Sequence, residues 1–336
     1  MRSFYSFIAC LTAMVVLSAP VQARQVVKIA TIAPEGSHWH NAIREVEVAW
    51  EEISGGEIDV RIFAGGVAGS EADVVRKMRI GQIHGATLAN FGLADIAVET
   101  LALSVPFIFR SDAEYNYVRD RVRGDYEALM EAKGYKVLAW SDIGWAYLFS
   151  RSPVTQPDEL AKLRLGTVGS QTTVVDAWRA AGYRTVLVSL PELLPSLQSG
   201  LAEAVFSVPA GALAFQWYRA APHMTDIKIS PVPGALVIST RAWDRLPENL
   251  KPQLIAAAKA AGQRSEDVLP SLEKEALEAM AARGLKIHPV APSESQIWEK
   301  RAVDGRRAVI GSTIPKDAFD RVLELVAEYR ANTGGQ

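Results

Sequence analysis

Gln25-Val26-Val27-Lys28-Ile29-Ala30-Thr31-Ile32 is a run rich in β-branched residues that stops at Ala33-Pro34-Glu35-Gly36-Ser37, after which Trp39, Ile43, Val46 and Trp50 recur at helical spacing. The pattern is a strand, a turn and a helix, with Ser37 placed to cap the helix. Glu57 to Phe63 then alternates as a second strand through Ile58, Val60 and Ile62. The glycine-rich Ala64-Gly65-Gly66-Val67-Ala68-Gly69-Ser70-Glu71 leads from it into a helix over Ala72 to Ile80. A βαβα order predicts a parallel sheet in an α/β fold.

The same alternation continues through strands at His84–Asn90, Val137–Ser141 and Arg164–Val168, separated by helical stretches such as Ala113–Lys133 and Thr173–Ala181. Ligands of open sheets bind beyond the carboxyl ends of strands. The loops to watch are Pro34–His38, Asn90–Phe91, Asp142–Trp145 and Thr167–Gln171. Pro247 to Arg283 reads as a long helix that Pro270 kinks or breaks, able to brace two lobes. Two closing helices are expected at Trp298–Arg307 and Lys316–Tyr329, then a frayed tail from Ala331.

Arg2 precedes an apolar stretch from Phe4 to Leu17 and the small-residue signature Val21-Gln22-Ala23. Residues 1–23 are therefore expected to be a cleavable secretory signal, and the remaining chain to be exported to the periplasm. That remaining chain is long enough for two lobes. The one cysteine, Cys10, lies in the leader, which excludes disulfides, thiol catalysis and cysteine-bound metal from the mature chain. A formal charge of −2 gives no basic surface for nucleic acid.

Catalytic and cofactor signatures are broken wherever they begin. Gly65-Gly66-Val67-Ala68-Gly69-Ser70 has no phosphate-reaching lysine, and Gly166-Thr167-Val168-Gly169-Ser170 lacks the glycine that comes after a nucleophile-elbow serine. His38 and His40 stand two apart on a helix and point to nearly opposite sides, so no metal site is expected. The rival reading is a periplasmic enzyme, or a sensing or partner-binding protein, on the same fold. For an enzyme, Glu35 with His38 is the available pairing. Leu163-Arg164-Leu165 places a guanidinium within a strand, where it needs a partner. That partner is either an internal carboxylate, Glu192 or Glu203, or a carboxylate supplied by a ligand, which guanidinium can grip with two parallel hydrogen bonds. Trp145, Tyr147, Trp217 and Tyr218 are either pocket walls or core aromatics.

Six motifs in order resemble one family over nearly all of the mature chain: Ala33–Ser37, the Gly65–Glu71 loop, Leu103-Ser104-Val105-Pro106-Phe107-Ile108-Phe109, Lys162-Leu163-Arg164, Leu190–Gly200 and Val237–Trp243. The chain resembles the solute receptors of tripartite ATP-independent periplasmic (TRAP) transporters, of the dicarboxylate-receptor type. The resemblance implies a type II periplasmic-binding-protein fold, two α/β lobes joined by crossing strands and a long shared helix. In this sequence those lobes would be residues 24–146 with about 237–275, and 147–236 with about 276–330, leaving 331–336 as a flexible tail. It implies no cofactor, hinge closure on a small organic acid, a carboxylate grip at Arg164, and delivery to small and large membrane subunits. Around Arg164 the cleft is expected to hold Glu35, His38, Asn90, Trp145, Ser207 and Trp217. Such receptors often carry a second arginine where Gly144-Trp145-Ala146-Tyr147 stands here, and an asparagine near Ser207. The more aromatic pocket suits a monocarboxylate with an apolar body: a 2-oxo acid, an aromatic acid or a lipid-like acid. The same departures resemble a branch that works with periplasmic helical-repeat proteins, a further partner that no motif here encodes.

Overall fold

The β-branched run forms β1 (Gln25–Ala30), and the Ser37 hydroxyl caps α1 (His38–Ile53) by accepting the His40 amide. β2 (Ile58–Phe63) pairs with β1 in parallel along its whole length, as the βαβα order predicts. Ser70 caps α2 (Glu71–Arg79) through a reciprocal box: its hydroxyl accepts the Asp73 amide, and the Asp73 carboxylate accepts the Ser70 amide. The first half continues through β3 (Gly85–Ala89), α3 (Asn90–Ile96), a 3-10 segment at Val98–Ser104, α4 (Asp112–Ala132), β4 (Tyr135–Trp140) and β5 (Gly144–Ser150). Next come α5 (Pro157–Leu160), β6 (Arg164–Val168), α6 (Thr172–Ala180), β7 (Arg184–Val188), α7 (Leu190–Ser199), β8 (Ala204–Ser207) and α8 (Pro209–Ala214). β9 (His223–Val232), β10 (Gly234–Ser239), α9 (Thr240–Trp243), α10 (Lys251–Asp267), α11 (Leu269–Ala281), β11 (Lys286–Pro289), α12 (Pro292–Val309) and α13 (Lys316–Asn332) complete it. This computed structural model describes residues 24–168 and 172–334, without the side chains of Thr172 and Thr173. The expected leader with Cys10 lies outside the described residues, as do the last two residues of the expected tail.

The strands form a five-stranded sheet, β2-β1-β3-β10-β4, and a six-stranded sheet, β11-β9-β5-β8-β6-β7. They are the centres of two lobes, and the architecture is the type II periplasmic-binding fold. The chain crosses between them from β4 to β5 and from β9 to β10. The crossings lie side by side, with Ser141 N donating to Gly234 O and Ile143 N to Val232 O, both at 2.9 Å. A Cβ on Gly234 would stand 2.6 Å from Ser141 O, so the close approach of the two strands requires glycine there. The long helix splits as Pro270 predicts: α10 ends at Asp267 and packs on α1 and β4, while α11 begins at Leu269 and packs on α8. It is the third connection between the lobes. Among the described residues no helix is long and apolar enough to cross a membrane.

Two expected boundaries shift. The crossings sit at 141–143 and at Pro233, a few residues before the expected limits near 146 and 237. The stretch 276–330 does not stay with the second lobe: α12 packs there against α6, but α13 returns to the first lobe and lies on α4 and the 3-10 segment. The reason is its apolar stripe of Phe319, Val322, Leu325 and Val326, which joins Val118 and Val122 of α4 in one buried core. The expected frayed tail also starts later, because α13 runs to Asn332.

Candidate ligand-binding cleft

The carboxyl ends of β1, β3, β6 and β7 open onto one cavity of about 880 Å³, lined from both sheets. That volume lies within the roughly 300–1,000 Å³ of small-molecule sites. From the first lobe come Thr31, Trp39, Asn90 and Phe91; from the second come Thr167, Trp178, Phe206, Ser207, Phe215 and Trp217. On the second-lobe side the aromatic rings stack in pairs, Trp178 on Phe206 at 4.6 Å and Phe215 on Trp217 at 4.8 Å between centroids.

Of the residues expected in the cleft, the fold brings Asn90, Ser207 and Trp217 to the cavity wall. Asn90 is the first residue of α3, a helix with no cap of its own. Glu71 caps it from α2, accepting the amides of Ala89 at 2.6 Å and Gly92 at 3.1 Å. Burial pushes the Glu71 carboxyl up to about 7, against the pull of those two amides. Ser207 ends β8 and donates to Val208 O at 3.0 Å.

The other four do not line the cavity. Arg164 begins β6 at its amino end, whereas the wall takes Gly166, Thr167 and Val168 from the carboxyl end. Its guanidinium pairs with Glu203 at 3.2 Å and donates to the carbonyls of Gly200 and Leu201. The internal carboxylate is therefore the partner, and the expectation of a ligand grip at Arg164 is corrected. Glu35 is exposed in the turn before α1. The His38 ring bonds the Ser265 hydroxyl at 2.9 Å and so ties α1 to α10. Glu35 and His38 thus form no acid–base pair at the cleft. Trp145 is buried beside it: its indole N–H donates to Asp112 and its ring meets Tyr115 edge-on.

Trp39, Phe206 and Arg306 line the cavity unanticipated, and Phe91 joins them beside Asn90. Trp39 belongs to a helical stripe that reads as core, and Phe91 lies in a loop already marked; nothing in the local pattern sets Arg306 apart. Three lining residues also hold buried polar atoms with no hydrogen-bond partner among the described residues: Trp39 Nε1, Ser104 Oγ and Thr167 Oγ1. Among the described residues no cluster of three His, Cys, Asp or Glu is able to hold a metal ion.

Behind the cleft the first crossing is anchored by buried charge. Asp142 accepts the Tyr115 hydroxyl at 2.9 Å and pairs with Arg119, which lies 3.8 Å from Glu266 of α10. Arg123 meets the same glutamate at 2.7 Å. Burial raises the Asp142 carboxyl, and Arg119 opposes it.

The model of the bacterial extracellular solute-binding proteins, family 7, matches residues 29–305. The C4-dicarboxylate-binding periplasmic protein DctP of Rhodobacter capsulatus is 22% identical over 84% of this chain and 86% of its own length. The 2,3-diketo-L-gulonate-binding periplasmic protein YiaO of Escherichia coli is 23% identical over 74% and 76%. Among solved structures, a TRAP periplasmic solute-binding protein from Ralstonia eutropha with bound (S)-2-acetolactate superposes with a TM-score of 0.83. It is 18% identical, covering 91% of this chain and 99% of that one. One from Sulfurospirillum deleyianum with bound succinate gives 0.82 at 19% identity, covering 90% and 99%.

Proposed function

This chain belongs to the bacterial extracellular solute-binding proteins of family 7, the receptors of TRAP transporters, and on that premise we propose that it closes its lobes on a monocarboxylate with an apolar body. Receptors of this family are periplasmic and serve transport, working with integral-membrane subunits. A leader at residues 1–23 would send the chain there, and a periplasmic helical-repeat protein is a further candidate recipient of the solute.

The observation that carries this reading is the cavity wall, in which stacked aromatic pairs and aliphatic side chains outnumber polar groups. An apolar body gains from covering such a surface, whereas a second carboxylate would lose hydration and find no second cation on the wall among the described residues. Asn90 from one lobe, with Ser207 and Trp217 from the other, would meet the solute as the lobes turn about the crossings. Relatives named or crystallised with a ligand take succinate, acetolactate and other carboxylic acids, which supports the acid class.

Calorimetric titration with 4-methyl-2-oxopentanoate and with succinate tests the reading. The branched oxo acid should bind at least about tenfold more tightly, a difference of about 1.4 kcal/mol. Equal affinities would sink the apolar-body assignment.

A further inference from the structure

We propose that Arg306, on α12, is the residue that receives the carboxylate of the ligand; this rests on the organic-acid reading of the same cleft. Arg306 is the only basic residue on the cavity wall among the described residues. Residues 169–171, outside the described residues, are Gly, Ser and Gln, none of them basic.

Its guanidinium is held but not neutralised. Nε and Nη2 both donate to Pro106 O, at 3.1 and 2.6 Å, which fixes the group against the 104–106 segment of the wall. Nη1 makes no hydrogen bond, and Arg306 forms no ion pair, among the described residues. The contrast with the shielded arginines of the first lobe is direct: Arg119 has Asp142 and Arg123 has Glu266. Burial draws the Arg306 pKa down, with partial compensation from Glu299. A half-buried guanidinium with an unused donor edge and no counter-ion is a site for an anion that arrives from solution.

The rest of the wall directs the anion to the same place. Its carboxyl groups, Glu71, Asp73 and Asp95, all come from the first lobe, whereas α12 packs in the second. An acid entering the cleft is thus oriented with its carboxylate at α12 and its apolar body along the aromatic pairs.

The test is titration of the exported protein with 4-methyl-2-oxopentanoate, phenylpyruvate and octanoate, each beside its methyl ester. Arg306→Gln keeps a donor for Pro106 O and removes the charge. It should weaken the acids bound by wild type by roughly tenfold to hundredfold and leave ester affinities unchanged. Arg306→Lys should retain the preference for acid over ester, and it serves if the glutamine variant does not fold. Arg164→Gln should leave acid affinity within about twofold of wild type. Unchanged acid affinity in Arg306→Gln overturns the assignment while leaving the organic-acid reading in place. A wild-type protein that binds the esters as well as the acids, or none of the acids, removes the organic-acid reading and this assignment with it.

Discussion

Arg164 and Glu71 are two charged residues whose surroundings set opposite behaviour. The Arg164 side chain is 42% exposed and its bonds to Glu203 and the Gly200 and Leu201 carbonyls stay within the second lobe. Arg164→Ala should therefore lower stability by only about 1 kcal/mol in urea unfolding, since water already screens the pair. Glu71 titrates in the reverse sense from a paired carboxylate. Its folded-state pKa of about 7 lies above the ordinary 4.5, so the folded protein binds the proton more tightly than the unfolded chain. The stability it contributes is full below about pH 4.5 and is lost as pH rises through about 7. Unfolding midpoints measured from pH 4 to 8 should fall in wild type relative to Glu71→Gln across that window; parallel profiles would refute the shift.

Among the elements, α4, the first crossing and α10 are joined by the Arg119, Asp142 and Glu266 group. Arg119→Met would leave two shielded carboxylates without their shared cation. A loss of about 3–5 kcal/mol is expected, read as a lower urea midpoint at unchanged slope. Elements are also where local pattern speaks most clearly. The caps at Ser37 and Ser70 and the break at Pro270 involve residues within a few positions of one another, so their chemistry is visible in a short window. The placement of α13 is not, because its apolar stripe fits any greasy partner. The choice of α4 depends on where the rest of the chain has left a face uncovered.

The whole molecule is two sheets joined by crossings that touch through Ser141 and Gly234, with a cavity lined from both. The alternation of strands and helices, the parallel first pair and the use of carboxyl strand ends for the cleft arise from backbone geometry and short-range periodicity, and were legible in the chain. Asn90 and Ser207 reached the wall for that reason, each sitting at or just beyond the carboxyl end of a strand, while Trp217 follows the turn after α8. Which arginine faces the cleft was not legible. Arg164 is embedded in a family-like motif yet stands at the far end of its strand, while Arg306 comes from an ordinary charged helix some two hundred positions from the carbonyl that holds it. A strand has two ends and a helix many faces, and only long-range packing selects between them, because burial of charge is decided by what the folded chain puts beside it.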